Sequence, residues 1–408
     1  MAIKGGSIIH AGNGNVVVDR VQTGGPGQVN IPTEKIYELG NYKSVATVRD
    51  TPDLSFSLES FDTSTEIEQM LCGVTSVPGG GLDLATSVPI DIASQFKAGV
   101  NAASPFNVVN SVAIPFLYLE QMSYRFGLRD NATQSATLRG DSIFYNPGPV
   151  FLQEVVGSNT PNQTIVTAHP AYQSAEADGR RVLSVTAGRN RLTKGIDYTE
   201  AVGTVTAGAG ISTLTILAAV PATDKIRIMY SSPDTVSYLQ TVHPSATVKP
   251  AAVKGRDIEI YAGGYNPADI PGSQANKLAS VQAVNVDWRV TIDKDEEFGN
   301  YYAVGQDFEL PAVNGSVDIK PRDSADFMRI LRKVTGVASS TAVIGPNASV
   351  PLSLDVVIKN PASGVPIKRI NVPDARFTVP GYQGRVQQKI VISLQFESDE
   401  GSMLVFDA

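Results

Sequence analysis

Val253-Lys254-Gly255-Arg256-Asp257-Ile258, followed by Ala262-Gly263, repeats a pattern from the start of the chain, where Ile3-Lys4-Gly5-Gly6-Ser7-Ile8 leads to Ala11-Gly12. In both places a turn glycine feeds a short apolar run that ends near another glycine. Working outward, three further pairs follow in the same order. Val16-Val17-Val18-Asp19-Arg20-Val21, running on to Tyr37-Glu38-Leu39-Gly40, matches Val281-Gln282-Ala283-Val284-Asn285-Val286, running on to Tyr302-Ala303-Val304-Gly305. Ser55-Phe56-Ser57-Leu58 alternates like a strand and precedes Ile67, Met70, Leu71 and Gly73. Ser316-Val317-Asp318-Ile319 does the same before Phe327, Ile330, Leu331 and Gly336. Each predicts a strand, a polar cap and a short amphipathic helix closed by glycine. Residues 114–145 then match 365–396 without a gap, with Pro115/Pro366, Arg125/Arg376, Phe126/Phe377 and Ser142/Ser393 identical. Four ordered matches read as one domain present twice.

Between the copies, residues 181–186, 198–202, 204–207, 213–217 and 225–230 form short β-type runs. Turns such as Gly188-Arg189-Asn190 and Gly208-Ala209-Gly210 separate them. This spacing predicts a small sandwich, with residues 157–163 and 233–250 as linkers. The division is therefore 1–149 for the first copy, 150–249 for linkers and sandwich, and 250–408 for the second copy. The fold class is mainly β, and a chain of 408 residues suits such a division.

Net charge −7 argues against a protein that coats DNA, which needs a basic face. Cys72 is the only cysteine, which excludes an intrachain disulfide and a cysteine-based zinc site. The first residues lack the pattern of a signal peptide, and no run approaches the ~20 apolar residues of a membrane span, so synthesis in the cytoplasm is expected.

No constellation carries chemistry. His10, His169 and His243 have no companion at motif spacing. Asp293-Lys294-Asp295-Glu296-Glu297 lacks the glycine and terminal glutamate of a calcium loop. Gly24-Gly25-Pro26-Gly27 and Pro78-Gly79-Gly80-Gly81 read as turns, since neither leads into Gly-Lys-Ser/Thr. The basic run from Gly188 to Gly195 reads as a hairpin loop; Glu66/Glu68 and Asp141/Asp197 have no supporting pattern. Trp288 and Tyr301-Tyr302 read as core or subunit contacts. Catalytic, cofactor-binding and metal-ligating residues are all expected to be absent, and the chain is read as not an enzyme.

The ordered set of Lys-Gly turn, strand, Tyr-x-Leu/Val-Gly, alternating strand, short helix and closing β segment resembles the tail tube proteins of tailed bacteriophages. The resemblance implies two β-barrel or sandwich domains, each flanked by a helix, whose sheets join into rings. Three duplicated chains would form a pseudo-hexameric ring, and stacked rings a tube through which genome DNA is ejected without specific binding. The middle, with Gly195-Ile196-Asp197-Tyr198-Thr199 and Ile226-Arg227-Ile228-Met229-Tyr230, resembles the Ig-like domains that decorate virions. The resemblance further implies other tail proteins as partners, no membrane, no cofactor, and location in the virion tail after assembly in the host cytoplasm. Loops near 22–45 and 288–312 are candidates for ring stacking, and the inward face is expected to be acidic. A sheath, baseplate or capsid protein, a β-sandwich adhesin and a tail-associated hydrolase are the alternatives.

Overall fold

The structure is a computed structural model, and it describes residues 8–12, 16–18, 21–27, 30, 33–36, 46–49, 52–61, 64–97, 108–146, 148–173, 181–206, 208–233, 253–266, 276–295, 305–335, 351–378 and 391–407. The β-branched and aromatic runs form strands throughout, in several antiparallel sheets. Before the middle region come β1 (Ile8–Gly12), β2 (Val16–Val17), β3 (Val21–Pro26), β4 (Thr33–Ile36), β5 (Ala46–Arg49), β6 (Leu54–Ser60), α1 (Glu66–Leu71), β7 (Leu82–Asp83), β8 (Ile90–Lys97), β9 (Val108–Gly127), β10 (Thr133–Gly140) and β11 (Phe144–Asn146). The middle holds β12 (Val150–Val156), β13 (Gln163–Val166), β14 (Ala171–Tyr172), β15 (Val182–Ala187), β16 (Asn190–Arg191), β17 (Tyr198–Thr206), β18 (Ala209–Ile216) and β19 (Lys225–Ser231). After it come β20 (Ile258–Ala262), β21 (Val281–Arg289), β22 (Ile292–Asp295), β23 (Gly305–Phe308), β24 (Ala312–Ile319), α2 (Ser324–Thr335), β25 (Leu352–Lys359), β26 (Pro366–Thr378), β27 (Ile392–Ser398) and β28 (Leu404–Asp407).

The strands on either side of the middle region pair by one scheme. In the first unit β1 pairs β8, β8 pairs β9, β9 pairs β10, β10 pairs β6, β6 pairs β3, and β11 returns to β9. In the second unit β20 pairs β25, β25 pairs β26, β26 pairs β27, β27 pairs β24, β24 pairs β21, and β28 returns to β26. Hairpin β4–β5 stands where β22–β23 stands, and α1 follows β6 as α2 follows β24. Bulges coincide as well. The β8–β9 ladder slips between Ile90 and Ile92, the β25–β26 ladder between Leu352 and Leu354, and both slip again at Phe96/Lys97 and Ile358/Lys359.

These ladders fix which residues correspond, and they correct three of the four sequence matches. Ile8 does stand where Ile258 stands. Val21, however, stands where Val281 stands, five residues from the sequence match, and Phe56 where Gly315 stands, two residues away. Pro115 stands at the bulge where Pro373 stands, seven residues beyond Pro366. Apolar alternation has a period of two, so an apolar run fits several frames equally, and only the ladder selects one.

The middle region is a sandwich of two four-stranded sheets, β12–β19–β15–β16 against β13–β18–β14 with β17 on β18. Its own core holds Phe151, Val185, Tyr198, Leu214, Ile228 and Tyr230. Residues 157–163 are not a linker but the turn between β12 and β13. Gly157 N–H donates to Asp224 O (3.0 Å), and a side chain at Gly157 would strike the Pro221 carbonyl. Residues 234–250, the other expected linker, lie outside the described residues.

The sandwich is fixed to the first unit. Val150, Leu152, Leu183 and Met229 pack on Ala93 and Ala113. Arg191 donates to both carboxylate oxygens of Asp141 (3.0 Å each) and to Ser142 Oγ (3.1 Å), and its guanidinium lies 4.6 Å from the Phe116 ring centroid. Phe116 occupies the bulge with φ of 58°, a left-handed conformation unfavourable for an aromatic residue. The Asp91 carboxylate holds it there by accepting the Phe116 N–H (2.9 Å). Burial pushes the Asp91 carboxyl above its ordinary value, opposed by that hydrogen bond and by Arg227 and Arg191.

Two expectations follow. Gly315 lies beneath the Phe396 ring, 2.1 Å from the Asn285 carbonyl for any added Cβ; Gly315→Val lowers stability by about 1–3 kcal/mol in denaturant unfolding through overpacking. Arg191→Ala leaves the Asp141 carboxylate buried without its cation, costs about 3–5 kcal/mol, and raises hydrogen exchange in β8, β12 and β15 before the rest of the chain.

Candidate functional surface

The two units meet along one antiparallel seam. The second half of β9 pairs with β21 from Gly127↔Ala283 to Gln121↔Arg289, merging both units into a 16-stranded sheet over one continuous core. A second ladder joins β7 of the first unit to β28 of the second through Leu82↔Val405 and Asp83↔Leu404. The seam is heterologous: the first unit presents β9, α1 and β7, whereas the second presents the outer edges of β21 and β28 and a face of β26.

At its centre lies a buried ion pair. Lys368 is in phase with Ile370 and Val372 on the core side of β26, and its side chain is fully buried. Its ammonium donates to Glu68 of α1, to Gln134 Oε1 (2.9 Å) and to Ser64 O (3.0 Å), which uses all three protons, and stands 5.0 Å from the Tyr124 ring centroid. Every one of these partners belongs to the first unit. Tyr124 Oη donates to Glu68 Oε1 (2.5 Å). Burial first, then the Glu68 charge, pushes the Tyr124 hydroxyl well above its ordinary value and keeps it a donor.

The sheet face away from the core is polar across both units. One row runs Glu59, Ser135, Ser123, Asp287, Asn314, Glu397, Arg376 over successive strands; the next runs Thr133, Arg125, Asn285, Ser316, Gln395, Thr378. Neither row contains an aliphatic or aromatic side chain. On this face Arg139 is paired with Asp53 and Glu120, and Arg376 with Asp399, beside Glu59, Asp287, Asp318, Glu397, Arg125 and Arg289, so it is not a basic face.

Two edges of the first unit have no partner among the described residues, although their counterparts are covered. β3, largely exposed, pairs only with β6, whereas its counterpart β21 is covered by β9. Tyr145 on β11 is 77% exposed, whereas Val405 at the same place on β28, beside β7, is 0% exposed. Gly27 N–H points to Ser55 O, so the neighbouring Pro26 faces outward, where proline removes one donor from the edge.

The residues singled out by sequence are scattered. His169 is half-buried with its ring tilted against Phe151 (4.2 Å between centroids), His10 lies on β1, and His243 lies outside the described residues. Gly24–Gly27 ends β3, and Gly79 and Gly80 lie in a turn. The basic run from Gly188 to Gly195 is used in docking: Arg191 binds Asp141, and Arg189 O accepts Tyr118 Oη (2.7 Å). Asp197 accepts Thr193 N–H, away from Asp141. Lys294 in the acidic run reaches Asp53 of the first unit (3.2 Å); Glu296 and Glu297, like Tyr301 and Tyr302, lie outside the described residues. Trp288 is buried at the seam. Among the described residues no cluster of three His, Cys, Asp or Glu side chains suits a metal ion, and no helix is long and apolar enough to cross a membrane. Sequence reasoning missed Lys368; the signal was a lysine in phase with core positions.

Comparison with protein families finds no family that matches this chain, and comparison with curated proteins finds no match.

Asp53 ties the seam at its flank. The Arg139 guanidinium (2.9 and 3.0 Å) holds its carboxyl below the ordinary 3.8 against the opposing effect of burial, with Lys294 adding to the depression. A depressed carboxyl contributes stability above 3.8 that is lost as pH falls through its folded value. Asp53→Asn is therefore expected to destabilise by about 0.5–1 kcal/mol at pH 7, a difference that persists down to pH 3.8 and is lost as acid unfolding is carried further, through the depressed folded value.

Proposed function

We propose that this chain is a structural subunit that assembles with copies of itself into stacked rings, and that these rings form the tail tube of a bacteriophage virion. The observation that carries the reading is the β9–β21 seam. It joins two units of one pairing scheme through unlike surfaces, and a heterologous contact of that kind can be repeated between chains. An open β-edge in an isolated subunit is a liability that pairing with a neighbour removes. Among the described residues the outer edge of β3 has no strand partner, which supports the reading, because its counterpart in the same chain is already satisfied by such a pairing.

Duplication explains the shared topology, and three chains then supply six similar positions in a ring. The polar sheet face suits the wall of a DNA conduit: it offers neither a basic track to hold phosphates nor aromatics to stack bases. Hairpins β4–β5 and β22–β23 occupy equivalent places and are the candidates for contacts between rings. The sandwich, docked on β8 and β9, serves as a decoration rather than a tethered adhesin.

Negative-stain microscopy of the purified chain tests the reading. Rings of three chains, alone or stacked into tubes, are the expected result. Rings of six chains, or a monodisperse monomer at all concentrations, overturn it.

A further inference from the structure

The correspondence between the units assigns a counterpart to each member of the buried ion pair. Lys368 pairs with Ile358, one step before the second bulge of the β25–β26 ladder; in the first unit that place belongs to Asn110, paired with Phe96. Glu68 lies between Ile67 and Met70–Leu71 on α1; on α2 the same place, between Phe327 and Ile330–Leu331, belongs to Met328. Lys368 is fully buried, whereas Asn110 is exposed and Met328 half-buried. The chain thus holds one completed junction keyed by Glu68 and Lys368, and carries Met328 and Asn110 at the corresponding places of the other unit.

We infer that the surface of the first unit made by the outer edges of β3 and β11 around Asn110 receives the second unit of another copy of this chain, with Met328 of α2 set against Asn110, and that the Glu68–Lys368 pair keeps the two kinds of junction from being exchanged. The inference rests on the self-assembly proposed above and deepens it by naming the contact and its selector.

The selectivity follows from desolvation. Seating α2 of one chain on β26 of another buries the Lys368 ammonium against the Met328 thioether, with no carboxylate to meet it. Seating α1 on β9 of a first unit buries the Glu68 carboxylate against an amide, with no cation. Both mismatches strand a charge, and the two matched junctions strand none. A buried polar pair fixing register among like surfaces is the best-attested use of such groups. The edges agree with this assignment, since among the described residues β3 and β11 have no strand partner on the sides where β21 and β28 are covered.

Transplanting the key tests it. Asn110→Lys alone is expected to reduce assembly at least tenfold in sedimentation, because the new lysine meets Met328; Met328→Glu alone does the same against Asn110. The double variant restores assembly to the wild-type level, since the charges now face each other. Labelled with two dyes, double-variant and wild-type chains each assemble with their own kind and give no energy transfer when mixed. Circular dichroism of each single variant as a monomer excludes misfolding as the cause of lost assembly. Single variants that assemble like wild type, or a double variant that fails to recover, overturn the inference while self-assembly stands. A wild-type chain that never associates overturns self-assembly, and the inference falls with it.

Discussion

The backbone of an edge strand must find partners, and the seam between β9 and β21 is where this chain meets that demand internally. Both strands would otherwise expose a row of N–H and C=O groups. Their pairing turns two sets of strands with open edges into one sheet over one core, with Met122, Tyr124, Val286 and Trp288 buried beneath it. The remaining features act around this line: the β7–β28 ladder extends it, Lys294 on Asp53 holds its flank, and Lys368 fixes its register.

Lys368 shows how a costly group can still belong to a core. An unpaired ammonium in this position would be strongly destabilising, and the first unit answers it with a carboxylate, an amide oxygen and a backbone carbonyl. An aliphatic pair of the same volume could serve stability equally well. What the charges add is discrimination, because a surface that lacks Glu68 leaves the Lys368 ammonium without a carboxylate.

The sandwich is held in a different manner. Its own core is complete, so it needs the first unit for position rather than for folding. The docking site is at the bulge at Pro115 and Phe116, where the ladder of β9 with β8 gives way to its ladder with β10. Ring, guanidinium and carboxylate interlock there, with Phe116 in an unfavourable backbone conformation, Arg191 over its ring and Asp141 on Arg191. In the second unit the same bulge carries Pro373 and Asp374, whose carboxylate accepts Ser398 Oγ–H (2.6 Å).

How much of this was legible in the sequence depends on the range of the forces involved. β-branched runs, turn glycines and the apolar spacing of α1 and α2 are local preferences, so the sequence determined by itself that the chain is mainly β, with a strand–helix pattern met twice and a sandwich between. The first match also set Ile8 equivalent to Ile258 in the correct frame, although the Lys4-Gly5 part of it lies outside the described residues. The tertiary structure alone decided the frames of the other three matches, since bulges at Ile90/Ile92 and Val21/Thr23 add residues that alternation cannot reveal. It also decided that Lys368 meets Glu68 across 300 residues and that Arg191 meets Asp141. Such pairs are set by which strand lies beside which, and that choice is made by closing sheets and burying surface over the whole chain, not by any local segment.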